Sequence, residues 1–386
     1  MHFDDLHRLV QSAAAIRVRA RLAPAGGPAE KVFPPTYEGA RYAFERRRDN
    51  GAEVDCVLLD SVQSQANRAE AALQEAIDRG RIRLPVIHVR FPDDVARDLG
   101  PVTSLTAPHR CYDAILRDST LDGVPFTKSE IGTALSAARP ADATALYRHC
   151  PTALVFGAWD SHGARGGMGA KFARAVASEI VGIGVSAGVR TSSRIDPLGI
   201  RAEVKVAVGD DERQWRLAGD DEKKAKRPSE IGHSNVPPTI GDAGGVTVDR
   251  IEQTWVLSLT ALRCYRFPGR NGASTGAEDA VRATLASLAL AGRALAQEDG
   301  LFLRSRAHLV PIPDQVQVEA VAVDGSVEPL DGPDTEGAIE LLEQAAAGAR
   351  DAGLPWHDEP IELEAEARLV ELVRRSSALA PKDAET

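Results

Sequence analysis

The segment VDCVLLD (54–60) is an apolar run closed by an aspartate, and it passes without a spacer into SVQSQANRAEAALQEAIDRG (61–80). A run of this length and composition reads as a buried strand. The residues that follow have helical period: Ala66, Ala69, Leu73, Ala76 and Ile77 form one apolar stripe. Asp60 or Ser61 can cap the start of that helix, and Gly80 stops it. A strand that feeds directly into an amphipathic helix needs both layers to bury its apolar side, which makes this a mixed α and β protein.

The same switching between periods continues along the chain. IRVRARL (16–22) alternates apolar and basic residues, as a half-buried strand does. FPPTYEG (33–39) is extended, since Pro34 and Pro35 disfavour helix. LPVIHVRF (84–91), TALVFGAW (152–159), IRAEVKVAV (200–208), TWVLSLTALRCYRF (254–267) and LFLRSRAHLVP (301–311) read as strands. Two further segments read as helices: GAKFARAVASEIVGIG (169–184), with Phe172, Val176, Ile180 and Ile183 on one side, and 276–300, with Leu285, Leu288 and Leu295 facing inward. Residues 336–379 predict two more helical stretches. Residues 92–150 have little periodicity and read as an elaborated insertion, and 209–245 form a polar excursion rich in Gly and Pro. The expected fold class is α+β, a compact core with large excursions. A ferredoxin-like split βαβ core would offer a flat sheet face to single-stranded nucleic acid.

Composition narrows the function classes. The hydrophobic fraction of 43% supports a substantial core. The start MHFDDLHRLV is acidic with no apolar run after it, which speaks against a secretory leader. No stretch approaches the ~18 apolar residues of a membrane helix. Cys56, Cys111, Cys150 and Cys264 are widely spaced without a CxxC pair, so zinc or a disulfide framework is not expected and a reduced cytoplasm is the natural setting. The net charge is −10, but residues 324–386 alone hold 5 basic and 16 acidic side chains, leaving the preceding part near neutral. Nucleic-acid binding is open to such a chain if its basic groups share one face.

Four segments hold candidate chemistry. DSHGARGGMGAKFARAV (160–176) joins four glycines to His162, Arg165, Lys171 and Arg174. Glycines admit a ligand close to the backbone, and a helix starting at 169 would aim N–H groups and a positive dipole end at an anion. Neither the P-loop nor the dinucleotide fingerprint fits: Lys171 is followed by Phe172, and Gly167 and Gly169 are not followed by a third glycine at the required place. The spacing suits a phosphodiester backbone, or else a plain solvated basic surface. DSVQSQANR (60–68) crowds Gln63, Gln65, Asn67 and Arg68 at a helix start, where amides can bond phosphate or ribose. SLTAPHRCYDAILRDS (104–119) sets His109 and Arg110 beside Asp113 and Asp118, a potential acid–base group without any supporting hydrolase motif. PSEIGHSNVPP (228–238) carries His233 and Asn235 in a long loop.

FPPTYEG, LLDSVQSQANRAEAAL, SLTAPHRCYDAILRDS, FTKSEIGTAL, LVFGAWDSHGARGGMGAKFARAVASEIVG, RPSEIGHSNVPP and TWVLSLTALR together resemble the backbone subunit of type I-G (formerly I-U) CRISPR effector complexes, of the RAMP superfamily. The likeness runs from about residue 33 to 265 and more loosely to 311. It implies an RRM-like palm over 1–323 with a thumb hairpin, placed at 201–250 with 92–150 as the second choice, and an acidic helical segment at 324–386. It also implies head-to-tail copies along a CRISPR guide RNA, pairing of that guide with target DNA, contacts with other effector subunits, no membrane partner, no catalysis, and neither cofactor nor metal. The residues implied in RNA binding are Gln63, Gln65, Asn67, Arg68, His109, Arg110, His162, Arg165, Lys171, Arg174, His233 and Asn235.

The RNP1 aromatics of ordinary RRMs are absent, so stacking on sheet aromatics is not the expected grip. A subunit that accepts any guide should hold phosphate and sugar rather than base edges. If Arg68, Lys171 and Arg174 each neutralise one phosphate, the log–log salt slope is about −2 per protomer. The competing expectations are a metal-dependent RNase or phosphodiesterase built on Asp160/His162 or His109/Asp113, and a small-molecule nucleotide site on the 163–171 loop.

Overall fold

A computed structural model describes residues 1–97, 99–160, 171–209, 214–219, 222, 225–268 and 274–378. Its centre is an eight-stranded antiparallel sheet. The strands are β1 (Ala15–Pro24), β2 (Phe44–Asp49), β3 (Ala52–Asp60), β4 (Val176–Ala187), β5 (Val246–Ser258), β6 (Leu301–Arg304), β7 (Ala307–Val321) and β8 (Val327–Pro329). Their spatial order is β6-β7-β1-β5-β4-β3-β2, with β8 added to β7. The helices that matter here are α1 (Phe3–Ser12), α2 (Val62–Asp78), α3 (Thr275–Gln297) and α4 (Thr335–Asp351).

The alternation in β1 predicts its two faces. Ile16, Val18, Ala20 and Leu22 are buried, while Arg17, Arg19 and Arg21 lie on the open side. The buried side is covered by helices. In α2 the expected stripe of Ala66, Ala69, Leu73 and Ala76 is buried, the Ser61 hydroxyl accepts from Ser64 N–H at 3.2 Å, and Gly80 takes φ +69° beyond its end. α3 is buried on nearly all sides because α1, α2 and α4 all pack on it. Gly292 allows the close crossing of α2: a Cβ there would sit 3.3 Å from Leu73 Cδ1.

Four central strands have a simple connectivity. β1 leads through β2, β3 and α2 to β4; β4 returns as β5 by a long excursion; β5 leads through α3 to β7. The order β7-β1-β5-β4 follows, each strand antiparallel to its neighbour. The excursion spans 188–245, beginning before the expected 201 because β4 already ends at Ala187. It carries two small antiparallel pairs, Arg190–Arg194 with Val236–Gly241 and Val206–Val208 with Trp215–Leu217.

Residues 324–378 are woven into the body. β8 extends the main sheet, α4 packs on α3, and Ile361–Ala365 forms a strand between Ile87–Arg90 and Ser119–Leu121. That strand separates the two C-terminal helices expected at 336–379. Residues 92–150 contribute Leu105, Leu116, Phe126, Leu135 and Leu146 to the main core.

Several expected elements are corrected. The helix at 169–184 is instead a two-residue strand, Lys171–Phe172, followed by β4. Val176, Ile180 and Ile183 fit a helical stripe, but Val176, Ser178 and Ile180 also share one strand face, and β-branched residues with two glycines favour the strand. The strand expected at 152–159 is a buried helix over Thr152–Phe156, an ambiguity inherent in short apolar runs. The strand at 254–267 ends at Ser258, whose hydroxyl caps a helix at Leu259–Arg263. Only Val206–Val208 of 200–208 is strand. The segment 301–311 is a hairpin, β6 and β7, turning at Arg306 with φ +59°.

Candidate nucleic-acid interface

Three of the four candidate segments meet at the flank of α2. Arg110, held at φ +53° and almost fully buried, donates from Nε and Nη2 to the two oxygens of Glu70 at 2.6 and 2.7 Å. Its Nη1 donates to the Gly157 carbonyl at 2.8 Å. Burial pushes the Glu70 carboxyl up, and the guanidinium beside it pulls the other way. Arg174 reaches the same corner, its Nε on the Phe156 carbonyl at 3.2 Å. Partial burial, and then the charge of Arg110, lower its pKa.

Gly157 (φ +84°) starts a narrow neck at this corner; a Cβ would lie 3.1 Å from Arg174 N. Ala158 pairs with Phe172 and Trp159 with Lys171. The Tyr265 hydroxyl donates to the Ala173 carbonyl at 3.0 Å, and Ala175 N–H bonds the Val155 carbonyl at 2.9 Å. The Lys171 ammonium lies 4.7 Å from the centre of the exposed Trp159 ring. The two-rung ladder thus fixes Ala158 and Trp159 against Lys171 and Phe172. His162 and Arg165 lie outside the described residues. The helix expected over 169–184 as the source of an anion site is not found among the described residues, where Lys171–Phe172 and Val176–Ala187 are strands. What stays in place is side-chain charge, Lys171 and Arg174, with no carboxylate bonded to either among the described residues.

The amide-rich start of α2 has a different role for half of its members. Asp60, 1% exposed, accepts from Ser64 Oγ at 2.8 Å, Gln65 Nε2 at 2.6 Å and Arg68 Nε at 2.9 Å. The Gln65 carbonyl accepts from Ser178 Oγ at 3.0 Å and Gln253 Nε2 at 2.8 Å, which ties α2 to β4 and β5. Arg68 also caps the carbonyls of Phe302 and Leu303 at 3.3 and 2.8 Å. Gln65 and Arg68 are thus committed to the fold, and Gln63 and Asn67 remain exposed. Without Arg68, two cations remain of the three counted for the salt slope, which falls to about −1.4.

His109 is exposed; its peptide N–H, not its ring, is held by Asp113, whose other oxygen caps Ile115. His233 and Asn235 lie in the excursion and have no described contact with the α2 corner. The His233 ring meets Trp215 edge-on at 5.7 Å, and Asn235 Oδ1 accepts the Asp196 N–H at 2.7 Å.

The open sheet face carries cations that the sequence reading placed on a strand but not in a site. Arg17 and Arg19 pair with Glu319 at 2.8 and 3.1 Å, Arg21 with Glu252 at 3.2 Å, Arg250 with Glu252 at 3.0 Å, and Arg47 with Glu179 at 2.6 Å. Glu45 also pairs with Arg47 and Asp49 with Arg250, so these five arginines meet five carboxylates and the face offers little net attraction to phosphate. The signal was present in IRVRARL; the partners, far away in sequence, were not visible. No group of three or more metal-ligating side chains occurs among the described residues, and none of their helices is long and apolar enough to cross a membrane.

Residues 16–187, under half of the chain, match the family described as CRISPR-associated protein GSU0053 (Cas_GSU0053). The matched residues include β1, α2, the Arg110–Glu70 corner and β4, and over that part the chain is similar to these CRISPR-associated proteins. A solved structure titled "Crystal structure of Thermofilum pendens Csc2" is similar at 14% identity, over 98% of this chain and 81% of its own, with a TM-score of 0.25. No curated protein matches the sequence.

Proposed function

We infer that the protein is a non-catalytic backbone subunit of a type I CRISPR effector complex. It binds the guide RNA along its sugar-phosphate backbone, stacks head to tail with further copies, and supports pairing of the guide with target DNA. The observation that carries this reading is the match of residues 16–187 to a CRISPR-associated family. The strand order supports it: β7-β1-β5-β4, with α2 and α3 as the two crossovers, has the connectivity of a ferredoxin-like, RRM-like palm. The 188–245 excursion leaves that palm between two central strands and serves as the thumb. Lys171 and Arg174, at the neck of the Gly-rich loop, are the cations placed to meet phosphate, with exposed Gln63 and Asn67 as neutral donors.

Two measurements test the reading. The nucleic acid that co-purifies with the protein should be a uniform short RNA with a repeat-derived end; random cellular RNA or none counts against it. Lys171→Glu with Arg174→Glu should weaken binding to unrelated RNA sequences alike and reduce the salt slope by about 1.4, since each phosphate contact contributes ~0.7. A loss confined to one sequence contradicts the backbone-contact reading. Turnover of labelled RNA by the purified protein, abolished by His162→Ala, would favour the phosphodiesterase instead.

A further inference from the structure

Two of the four tryptophans are buried, Trp255 and Trp356 at 4% and 7% exposed, and two are open, Trp159 and Trp215 at 45% and 44%. A large aromatic left half open has forgone much of its burial, and on a nucleic-acid-binding surface an open indole is a stacking platform. Trp159 is the better placed. It is the last described strand residue before the Gly-rich loop, in register with Lys171 on the return, and that lysine's ammonium lies over one side of the ring. The ladder and the Arg110 bond to the Gly157 carbonyl fix both residues at the neck. Lys171 has further N–H donors to offer than the ring can take. Asp160, next in the chain, is the nearby negative charge, and it lines a separate cleft with Tyr112 and Arg117.

We propose that Trp159 and Lys171 form a single-nucleotide site for single-stranded RNA, the indole stacking on one base of any identity and the ammonium holding the adjoining phosphate. This rests on the guide-binding reading and adds to it a base contact that the absence of RNP1 aromatics had argued against. The ammonium contributes a charge that salt screens; the indole contributes a contact that salt leaves nearly untouched.

The full chain is titrated by fluorescence anisotropy with a short oligouridine and with an abasic ribose-phosphate strand of equal length. The intact protein should prefer the oligouridine by roughly 5- to 150-fold, the range of one base–aromatic stack. Trp159→Ala should abolish that preference with an unchanged salt slope, and Trp159→Phe should keep most of it. Lys171→Ala should weaken both strands equally and lower the slope by about 0.7. In a Trp215→Phe background, where Trp159 is the open indole that remains, oligouridine but not the abasic strand should quench tryptophan emission, a readout that leaves Trp159 intact. A preference that persists in Trp159→Ala, or equal quenching by both strands, overturns the stacking site. Failure of the intact protein to bind either strand overturns the guide-binding reading itself.

Discussion

The α2 corner and the open face of the sheet both bring arginine to carboxylate, under opposite conditions. At the corner, Arg110 and Glu70 are buried, 9% and 3% exposed in their side chains, and each nitrogen of the guanidinium donates to an acceptor. On the face, Arg17 and Arg19 share Glu319 while remaining 29% and 51% exposed. A buried pair is held in place by the cost of breaking it; a wet pair exchanges with water at little cost. One region is therefore a fixed joint, and the other a neutralised surface. Lys171 and Arg174, beside the joint and with no carboxylate bonded to them among the described residues, have what neither region has: charge available to a ligand.

The largest expected effect comes from breaking the joint. Glu70→Leu leaves Arg110 buried without its counter-charge and should cost about 3–5 kcal/mol, read from chemical denaturation. A loss under 1 kcal/mol would mean the corner is as wet as the face. Next is His149, whose pKa is lowered to about 4 by burial first, then by the positive charges of His357 and Arg148. The depressed value means the unfolded chain takes up the proton first, so stability should fall as pH drops from 6.5 towards 4 and level off below. The loss is at most about 3 kcal/mol, less with partial exposure. His149→Leu should flatten that slope in melting temperature against pH; an unchanged slope would assign it to other groups. The smallest effect belongs to the face. Arg17→Gln with Arg19→Gln should shift stability by about 1 kcal/mol or less and leave RNA affinity within twofold, whereas a large affinity loss would move the phosphate contacts onto the sheet.

The parts of this molecule legible in the sequence are those where a period points to one answer. β1 alternates so strictly that its two faces follow at once, and α2 displays both its cap and its stripe. At β4 the period points the wrong way: Phe172, Val176, Ile180 and Ile183 satisfy a helical spacing, while the pairing partners that make Val176–Ala187 a strand, β3 and β5, lie far off along the chain. That error carried a functional one with it, the imagined helix terminus under the Gly-rich loop. Arg68, Gln65 and Arg110 stand out in the sequence, yet polar residues that bind a ligand and polar residues that tie a core together have the same composition. Only Asp60, Ser178 and Glu70, brought up by the fold, tell them apart.

The 188–245 excursion begins and ends in glycine. Gly188 N–H bonds the Gly245 carbonyl at 2.8 Å, and Gly244 N–H bonds the Gly188 carbonyl at 3.1 Å. A side chain at Gly244 would overlap the Val189 backbone. The opening is thus cinched shut at its root, like a drawstring. A change of length past that root would therefore leave every rung of the eight-stranded sheet in place.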